Sequence, residues 1–286
     1  MSKIVLIETS TALCSVALAE NGNITAYRES SAPKAHASLT AVFVQEVLEE
    51  RRVKLADCDA VCVSMGPGSY TGLRVGVSTA KGLCFGSGKP LLAVGTLDTL
   101  VAQAHSVIPS EVKASPYRFI IPMIDARRME VYASVFASSA IQSTSSVIPS
   151  SSSVIPSTSS VIPSSSSVIP STSSVIPSSS SVIPSEVEES PSYIQITETA
   201  PAIIDSESFA EYLEQGPCLF IGDGAGKCAD VIKHPNAHFC QCHPKASAML
   251  VPAMTALQDG KFQDVAYFEP FYLKEFVATV SKKKLF

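Results

Sequence analysis

The feature that most limits what this chain can fold into is a tandem repeat near its middle. From Ser145 the string Ser-Ser-Val-Ile-Pro-Ser occurs six times, and each copy starts seven residues after the previous one. A proline in every unit excludes a continuous helix. Two aliphatic residues per unit bury too little surface to offset the entropy lost on ordering the chain. We expect residues 138–192 to be a disordered Ser/Pro-rich insertion, with a docking or phosphorylation segment as the alternative.

A shorter copy of the same element occurs upstream. Residues 106–112 repeat the sequence of residues 181–187, and a Ser-Pro pair follows both. A longer loop costs only about 0.6 kcal/mol per doubling of its length, so such insertions are tolerated between elements. We therefore predict a first lobe over residues 1–104, an inserted loop over 105–116, and a second lobe formed by 117–137 plus 193–286.

The rest of the sequence alternates short apolar runs with helical spacings. Leu39, Val42 and Phe43, for example, recur at three- and four-residue steps along one predicted helix. Three strands followed by alternating helices and strands indicate an α/β architecture. The predicted strands cover residues 3–9, 15–19, 23–29, 60–64, 91–94, 119–124, 131–136 and 219–222. The predicted helices cover residues 36–52, 72–85, 97–104, 207–213 and 246–258.

Charge and hydropathy limit the partners and the location of the protein. The net charge is −5, so the chain lacks the excess positive charge with which a protein binds nucleic acid by itself. Glu8 interrupts the apolar run near the N-terminus, which is unlike an export signal, and no apolar stretch reaches the length of a membrane span. We expect a cytoplasmic protein whose eight cysteines are reduced thiols.

The segment richest in potential chemistry is the glycine-rich turn, Gly-Pro-Gly-Ser-Tyr-Thr-Gly-Leu-Arg over residues 66–74. It follows a predicted strand and opens a predicted helix, where free backbone N–H groups favour anions. Its glycine spacing is not that of a dinucleotide-binding fingerprint, and it lacks the Gly-Lys-Ser/Thr of a phosphate-binding loop. Residues 222–227 fail the same test, because Cys228 follows the lysine. Residue chemistry alone leaves two readings, a tight turn or a phosphate cradle.

Four strings resemble the bacterial TsaB family: Ile-Glu-Thr-Ser-Thr from Ile7, Cys-Ser-Val-Ala-Leu from Cys14, the glycine-rich turn, and Asp-Ala-Arg-Arg-Met-Glu-Val-Tyr from Asp125. The resemblance covers most of residues 1–136 and is weaker after residue 192, where residues 268–274 are similar to the family's C-terminal signature. Met129 stands where the family usually has Gly, and Lys274 where Arg is common. The resemblance implies a two-lobed actin-like ATPase (ASKHA) fold, shared with the paralogue TsaD, which transfers a threonylcarbamoyl group to tRNA.

Two departures from TsaD separate the chain from that transferase. TsaD carries Cys-Asp-Glu after its initial Glu-Thr-Ser, whereas this chain has Thr-Ala-Leu at residues 11–13. TsaD also binds its metal through two histidines four residues apart, and the matching positions here are Thr96 and Leu100. Neither side chain can replace an imidazole ligand. The resemblance therefore implies a non-catalytic subunit with no catalytic residues, no metal and no cofactor of its own.

A TsaB-like subunit is expected to bind TsaD as a heterodimer through the two helices of the first lobe, and to support it together with the ATPase TsaE. Contact with tRNA would pass through the complex, ATP or ADP would lie at the interface, and a homodimer would be the alternative assembly without TsaD. The rival functions are an independent actin-like-fold ATPase or kinase and a glycoprotease-like peptidase. The expected partner-binding residues are His36, Leu39, Phe43, Tyr70, Arg74, Gly76, Val77, Lys81, Asp125 and Arg127.

Three of these assignments rest on specific patterns. Gly76 lies between Gly72 and Ala80 at four-residue steps, a stripe of small side chains that would admit either a partner or the chain's own helix over 36–52. Asp125 and Arg127 follow a strand, where α/β folds place their ligand crevices. The alternative is a local pair that fixes the turn.

One further cluster suggests a metal. Three histidines and two cysteines lie within residues 234–243, a density that could bind zinc. No second Cys pair completes a ligand set, however. We predict no metal site there.

Overall fold

The computed structural model describes residues 2–107, 116–139 and 193–273. The protein contains two mixed β-sheets with helices packed on them. The strands are β1 (Lys3–Glu8), β2 (Cys14–Glu20), β3 (Asn23–Ser30), β4 (Ala60–Gly66), β5 (Leu91–Gly95), β6 (Phe119–Asp125), β7 (Glu130–Ala133), β8 (Phe136–Ser138), β9 (Tyr193–Gln195), β10 (Ala200–Ile203), β11 (Cys218–Gly222), β12 (Ala237–Gln241) and β13 (Phe262–Gln263). The helices are α1 (Ala35–Arg51), α2 (Tyr70–Ser87), α3 (Thr96–Val107), α4 (Ala210–Leu213), α5 (Ala225–Ala229) and α6 (Leu250–Gln258).

The first sheet has the strand order β13-β5-β4-β1-β2-β3. Strands β1, β4 and β5 are parallel, while β2, β3 and β13 pair antiparallel. Strand β1 is buried on both faces, because Val5 and Ile7 face α1 and α2 whereas Ile4 and Leu6 face α6. A strand that is covered on both faces has a continuous apolar sequence, because every side chain is buried.

The second sheet has the order β10-β7-β6-β11-β12, and β8 and β9 extend it from β6. Strands β6, β11 and β12 are parallel. The predicted strand over 131–136 is two strands, because the chain leaves the ladder at Ser134, whose hydroxyl donates to the Thr197 carbonyl at 2.7 Å. The α/β class predicted from the sequence is confirmed.

The lobe boundaries differ from the prediction in two places. Helix α3, assigned to the first lobe, packs Leu97 and Leu100 against Ile120 and Ile124 of the second sheet. Helix α6, assigned to the second lobe, covers the first sheet. Helices at a crossover have two sheets available, and the apolar faces they meet decide which one they cover.

Smaller differences concern element ends. The helix predicted over 207–213 is limited to Ala210–Leu213, and the one over 246–258 begins as a 3-10 turn at Ala246–Met249. Ser138 belongs to β8, although the insertion was predicted to begin there. Residues 140–192 of that insertion and residues 108–115 of the 105–116 loop lie outside the described residues. No helix in the described ranges is long and apolar enough to cross a membrane.

Candidate functional site

A wholly buried carboxylate ends the central strand of the first sheet. Glu8 is the last residue of β1, and its Oε1 accepts a hydrogen bond from the Ser10 amide at 2.7 Å. Its Oε2 is buried without a hydrogen-bond partner in the described part of the chain. Burial raises the pKa of Glu8 to about 7, although neighbouring polar groups of Ser10, Ser64 and Thr9 oppose the shift. A carboxylate in this environment is costly to ionise at neutral pH.

Polar side chains from the neighbouring parallel strands meet at the same edge of the sheet. Ser64 of β4 and Thr96, which follows β5, share a hydrogen bond of 2.9 Å between their hydroxyls, and both are fully buried. Leu100, one helical turn beyond Thr96, lies in the core between α3 and the second sheet. The two positions where the resemblance would place metal-binding histidines therefore hold a bonded hydroxyl and a core leucine.

The glycine-rich turn packs tightly against the loop after β1. The Ser69 amide donates to the Ser10 carbonyl at 2.6 Å, and the Ser69 hydroxyl caps α2 by accepting from the Gly72 amide. A side chain at Gly68 or Gly72 would collide with backbone carbonyls of this loop. The amides of Ser69, Gly72 and Leu73, which a phosphate cradle could use, are bonded within the chain. The tight-turn reading is therefore the one that the geometry favours.

The stripe of small residues on α2 faces inward, and not toward a second body. A Cβ at Gly76 would collide with the Thr9 hydroxyl, so the close approach that this glycine allows is made by the chain's own loop. The sequence left two candidates for the surface against Gly76, a partner or the chain's own helix over 36–52. The loop that contains Thr9 is neither of them. Val77 and Phe43 are also core residues, at 4% and 8% exposure. Phe43, Gly76 and Val77 are thus corrected from partner contacts to core positions.

The other expected contacts on α1 and α2 stay accessible in part. The His36 Nε2 lies 2.8 Å from the Thr11 carbonyl, and the half-buried Leu39 packs against the core. Tyr70 is half-buried and Arg74 is exposed, with the Arg74 guanidinium 4.7 Å from the centre of the Tyr70 ring. His36 and Leu39 lie near the start of α1, and Tyr70 and Arg74 near the start of α2.

The C-terminal segment, residues 264–273, lies along α2 and was not predicted to do so. The Lys81 ammonium donates to the carbonyls of Ala266 and Phe268 at 3.0 Å each. The Phe271 amide donates to the Met65 carbonyl at 2.7 Å. No sequence pattern signals these contacts, because they join backbone groups far apart in the chain.

Asp125 and Arg127 lie on the second sheet, at the β6–β7 hairpin. Asp125 accepts a hydrogen bond from the Arg127 amide at 2.8 Å, which makes it a turn-fixing residue. Lys227 pairs with Asp125 and donates to the carbonyls of Arg128 and Glu130 at 2.8 and 2.6 Å.

The unusual backbone of this hairpin falls on its two arginines. Arg127 and Arg128 have left-handed φ angles of 69° and 52°. Met129, which stands where the family usually has Gly, is not among the described residues with a positive φ. The hairpin tolerates the two positive φ values because the Lys227 contacts hold its backbone.

The His/Cys cluster is spread along β12 and the turns beside it. His234 accepts from the Asn236 amide, and the His238 ring lies 5.3 Å from that of Tyr117. Burial and the neighbouring Cys240 thiol raise the pKa of Cys242 to about 12. Within residues 2–107, 116–139 and 193–273, no group of three or more such side chains is arranged to hold a metal ion.

Comparison with known proteins adds the family context. Residues 28–147 match the family described as TsaD, tRNA N6-adenosine threonylcarbamoyltransferase. The chain is similar to the tRNA threonylcarbamoyladenosine biosynthesis protein TsaB of Escherichia coli K12, at 35% identity over 130 residues, 46% of this chain and 53% of that protein. TsaB of Haemophilus influenzae is 33% identical over 137 residues, 48% of this chain and 55% of its own length. The chain thus spans about half the length of the curated relatives it matches.

A solved structure establishes the fold. The protein from Pseudomonas aeruginosa described as uncharacterized, with similarity to the peptidase YEAZ, superposes with a TM-score of 0.68 at 22% identity. The superposition covers 96% of this chain and all of the other. The chain therefore shares its mixed α/β fold with this structure.

Proposed function

We propose that this chain, which is similar to TsaB proteins over about half of their length, is a TsaB-type, non-catalytic subunit of the machinery that forms N6-threonylcarbamoyladenosine in tRNA. Its partner is a TsaD-type transferase, supported together with the ATPase TsaE in the cytoplasm. The chain contributes binding and support, and the chemistry belongs to the partner.

The observation that carries the non-catalytic role is the pair Thr96 and Leu100. Both are fully buried, and Thr96 is already bonded to Ser64. A metal-dependent transferase needs ligands with lone pairs directed at an open site. Glu8, at the end of the central strand, is enclosed with a raised pKa and has no access to solvent. These features support a subunit that leaves metal and substrate to its partner.

The binding face is formed by the exposed sides of α1 and α2. It contains His36, Leu39, Tyr70, Arg74 and Lys81, of which the last is anchored to the C-terminal segment. The net charge of −5 supports contact with tRNA through the complex and not through this chain alone. ATP or ADP, if present, belongs at the interface.

A peptidase is the rival suggested by the name of the Pseudomonas structure. A hydrolase of that kind pairs a nucleophile with an imidazole, which an acid orients. His36 and His234 contact backbone groups, and His243 lies 3.9 Å from Asp223. None of these contacts brings a serine or cysteine to an imidazole.

The test is reconstitution with the TsaD-type protein and TsaE of the same organism. We expect the chain to co-elute with TsaD from a sizing column, and tRNA modification to require its addition. The variant Lys233→Ala, which changes an exposed residue on the second lobe, serves as the control and should behave as wild type. Full modification without the chain, or turnover by the chain alone, would refute the proposal.

A further inference from the structure

A stacked arginine on the exposed side of α2 has no acidic partner within the described chain. The Arg74 guanidinium lies over the Tyr70 ring at 4.7 Å, and it takes part in none of the ion pairs between described residues. By contrast, Arg28 and Arg51 each hold glutamates at 2.8–3.0 Å. Among the described residues, therefore, no carboxylate occupies the donors of Arg74.

The ring beneath Arg74 is itself fixed. Tyr272 of the C-terminal segment lies against Tyr70, with ring centroids 4.8 Å apart. Two anchors hold that segment in place, the Phe271 amide on the Met65 carbonyl and the Lys81 ammonium on the Phe268 carbonyl. The Tyr272 hydroxyl is buried and makes no hydrogen bond with the described residues, so its ring is held by packing. Tyr70 thus contacts both the Tyr272 ring, at an interplanar angle of 37°, and the Arg74 guanidinium, and Arg74 is the exposed member of the three.

An arginine held against an aromatic ring in this way is suited to one kind of ligand. A guanidinium held by its face presents its N–H groups edgewise, in a fork that matches the two oxygens of a carboxylate. Fixing the side chain before binding removes much of the entropy that a free arginine would lose. The half-exposed Phe271, at 43%, adds an apolar surface on the same segment. Aromatic residues and arginine are the types enriched at the energetic centres of interfaces.

We propose that Arg74 is a preorganised receptor for a carboxylate side chain of the TsaD-type partner, and that Tyr272 is a positioning residue for it. This inference rests on the proposed function. It predicts that the partner presents an aspartate or glutamate to the first turns of α2, with an apolar neighbour against Phe271.

The experiment measures the dissociation constant of the TsaD-type partner for the full-length chain and its variants at two salt concentrations. Arg74→Ala should weaken binding by about tenfold or more, the scale of an interface hot spot. Arg74→Lys should recover only part of the loss, because lysine keeps the charge and lacks the fork. Lys233→Ala removes one exposed positive charge from the second lobe and should leave affinity unchanged.

The role of Tyr272 has its own matched pair. Tyr272→Phe keeps the ring and removes a hydroxyl that makes no bond, so affinity should stay within twofold. Tyr272→Leu removes the ring and should weaken binding severalfold, and this loss should largely disappear in an Arg74→Ala background. Equal losses in both backgrounds would reject the positioning role. Melting curves of each free variant separate an unfolded chain from a lost contact.

The outcomes also separate this inference from the proposed function. If the wild-type chain fails to bind the partner, the proposed function and the carboxylate receptor are both refuted. If it binds and Arg74→Ala binds within twofold of it, the function stands and the carboxylate receptor is overturned. If Arg74→Ala binds the partner normally but the assembled complex retains less tRNA, the anion is a phosphate and the proposal is also overturned.

Discussion

The rings of Tyr70 and Tyr272 lie 4.8 Å apart and join the first turn of α2 to the last described residues of the chain. With the Lys81 contacts to Ala266 and Phe268, this pairing makes the C-terminal segment part of the α2 surface. A partner that docks on the first turns of α2 meets both. The proposed binding face therefore combines two segments that are far apart in the sequence.

The isolated chain should neither hydrolyse ATP nor modify tRNA. The reason is that Thr96 and Leu100 provide no metal ligand and Glu8 is enclosed. Phosphate release and incorporation of labelled threonine into tRNA are the two measurements. Steady turnover that disappears in Glu8→Gln would show that the buried carboxylate is catalytic after all.

Glu8 should make the stability of the protein depend on pH. Its pKa rises from 4.5 to about 7 on folding because it is buried, so the folded state holds the proton more tightly than the unfolded state. The stability that Glu8 contributes is complete below pH 4.5, falls as pH rises toward 7 and is lost above it. The difference in free energy of unfolding between Glu8→Gln and wild type should shift in favour of the variant by on the order of 3 kcal/mol between pH 4.5 and pH 8.

Urea unfolding at these two pH values measures the effect. Gln has the same shape and keeps an oxygen that can accept from the Ser10 amide. The exposed Glu214 provides the control, and Glu214→Gln should show no such pH-dependent gain. Parallel pH profiles for wild type and Glu8→Gln would contradict the raised pKa.

Two glycines of α2 should respond in opposite directions to alanine. A Cβ at Gly72 collides with the Thr9 carbonyl, whereas a Cβ at Gly82 meets nothing within 4 Å. Gly72→Ala should destabilise the free chain by about 1–3 kcal/mol through overpacking. Gly82→Ala should stabilise it by about 0.5–1 kcal/mol, since alanine is the better helix former.

Gly76→Leu should destabilise the free chain, as Gly72→Ala does, because the added side chain must displace Thr9. Denaturant midpoints of the free chain compare all three. If Gly76→Leu melts like wild type and only its binding to TsaD fails, the small stripe faces the partner, and the packing described here is wrong.

The repeat should be removable. Ser138 and Tyr193 are direct register partners in the β8–β9 pair, so a short Gly/Ser linker can join residue 139 to Tyr193. A shorter loop costs less entropy to close. We expect the shortened chain to complement a strain lacking this protein. A matched deletion that also removes β8 should fail through lost folding. Failure of the first variant despite normal soluble expression would assign a role to the repeat.

The sequence by itself determined the elements with local signals. The apolar run of β1, the three- and four-residue spacing of α1 and the glycine-rich turn before α2 all lie within a few residues of the predicted bounds. Each signal is short-range, because hydrophobic period and turn chemistry involve neighbours in sequence. The TsaB-like strings are local in the same way, and they carry the similarity to TsaB proteins.

The tertiary structure decided which faces are buried. Gly76 and Val77 fit a partner contact by spacing alone, but Thr9 lies against Gly76 and Val77 packs in the hydrophobic core. Helix α3 covers the second sheet and α6 the first, against their order in the chain. The contact of Tyr272 with Tyr70 has no local signature at all. Such pairings depend on surfaces brought together from distant parts of the chain, which hydrophobic pattern does not specify.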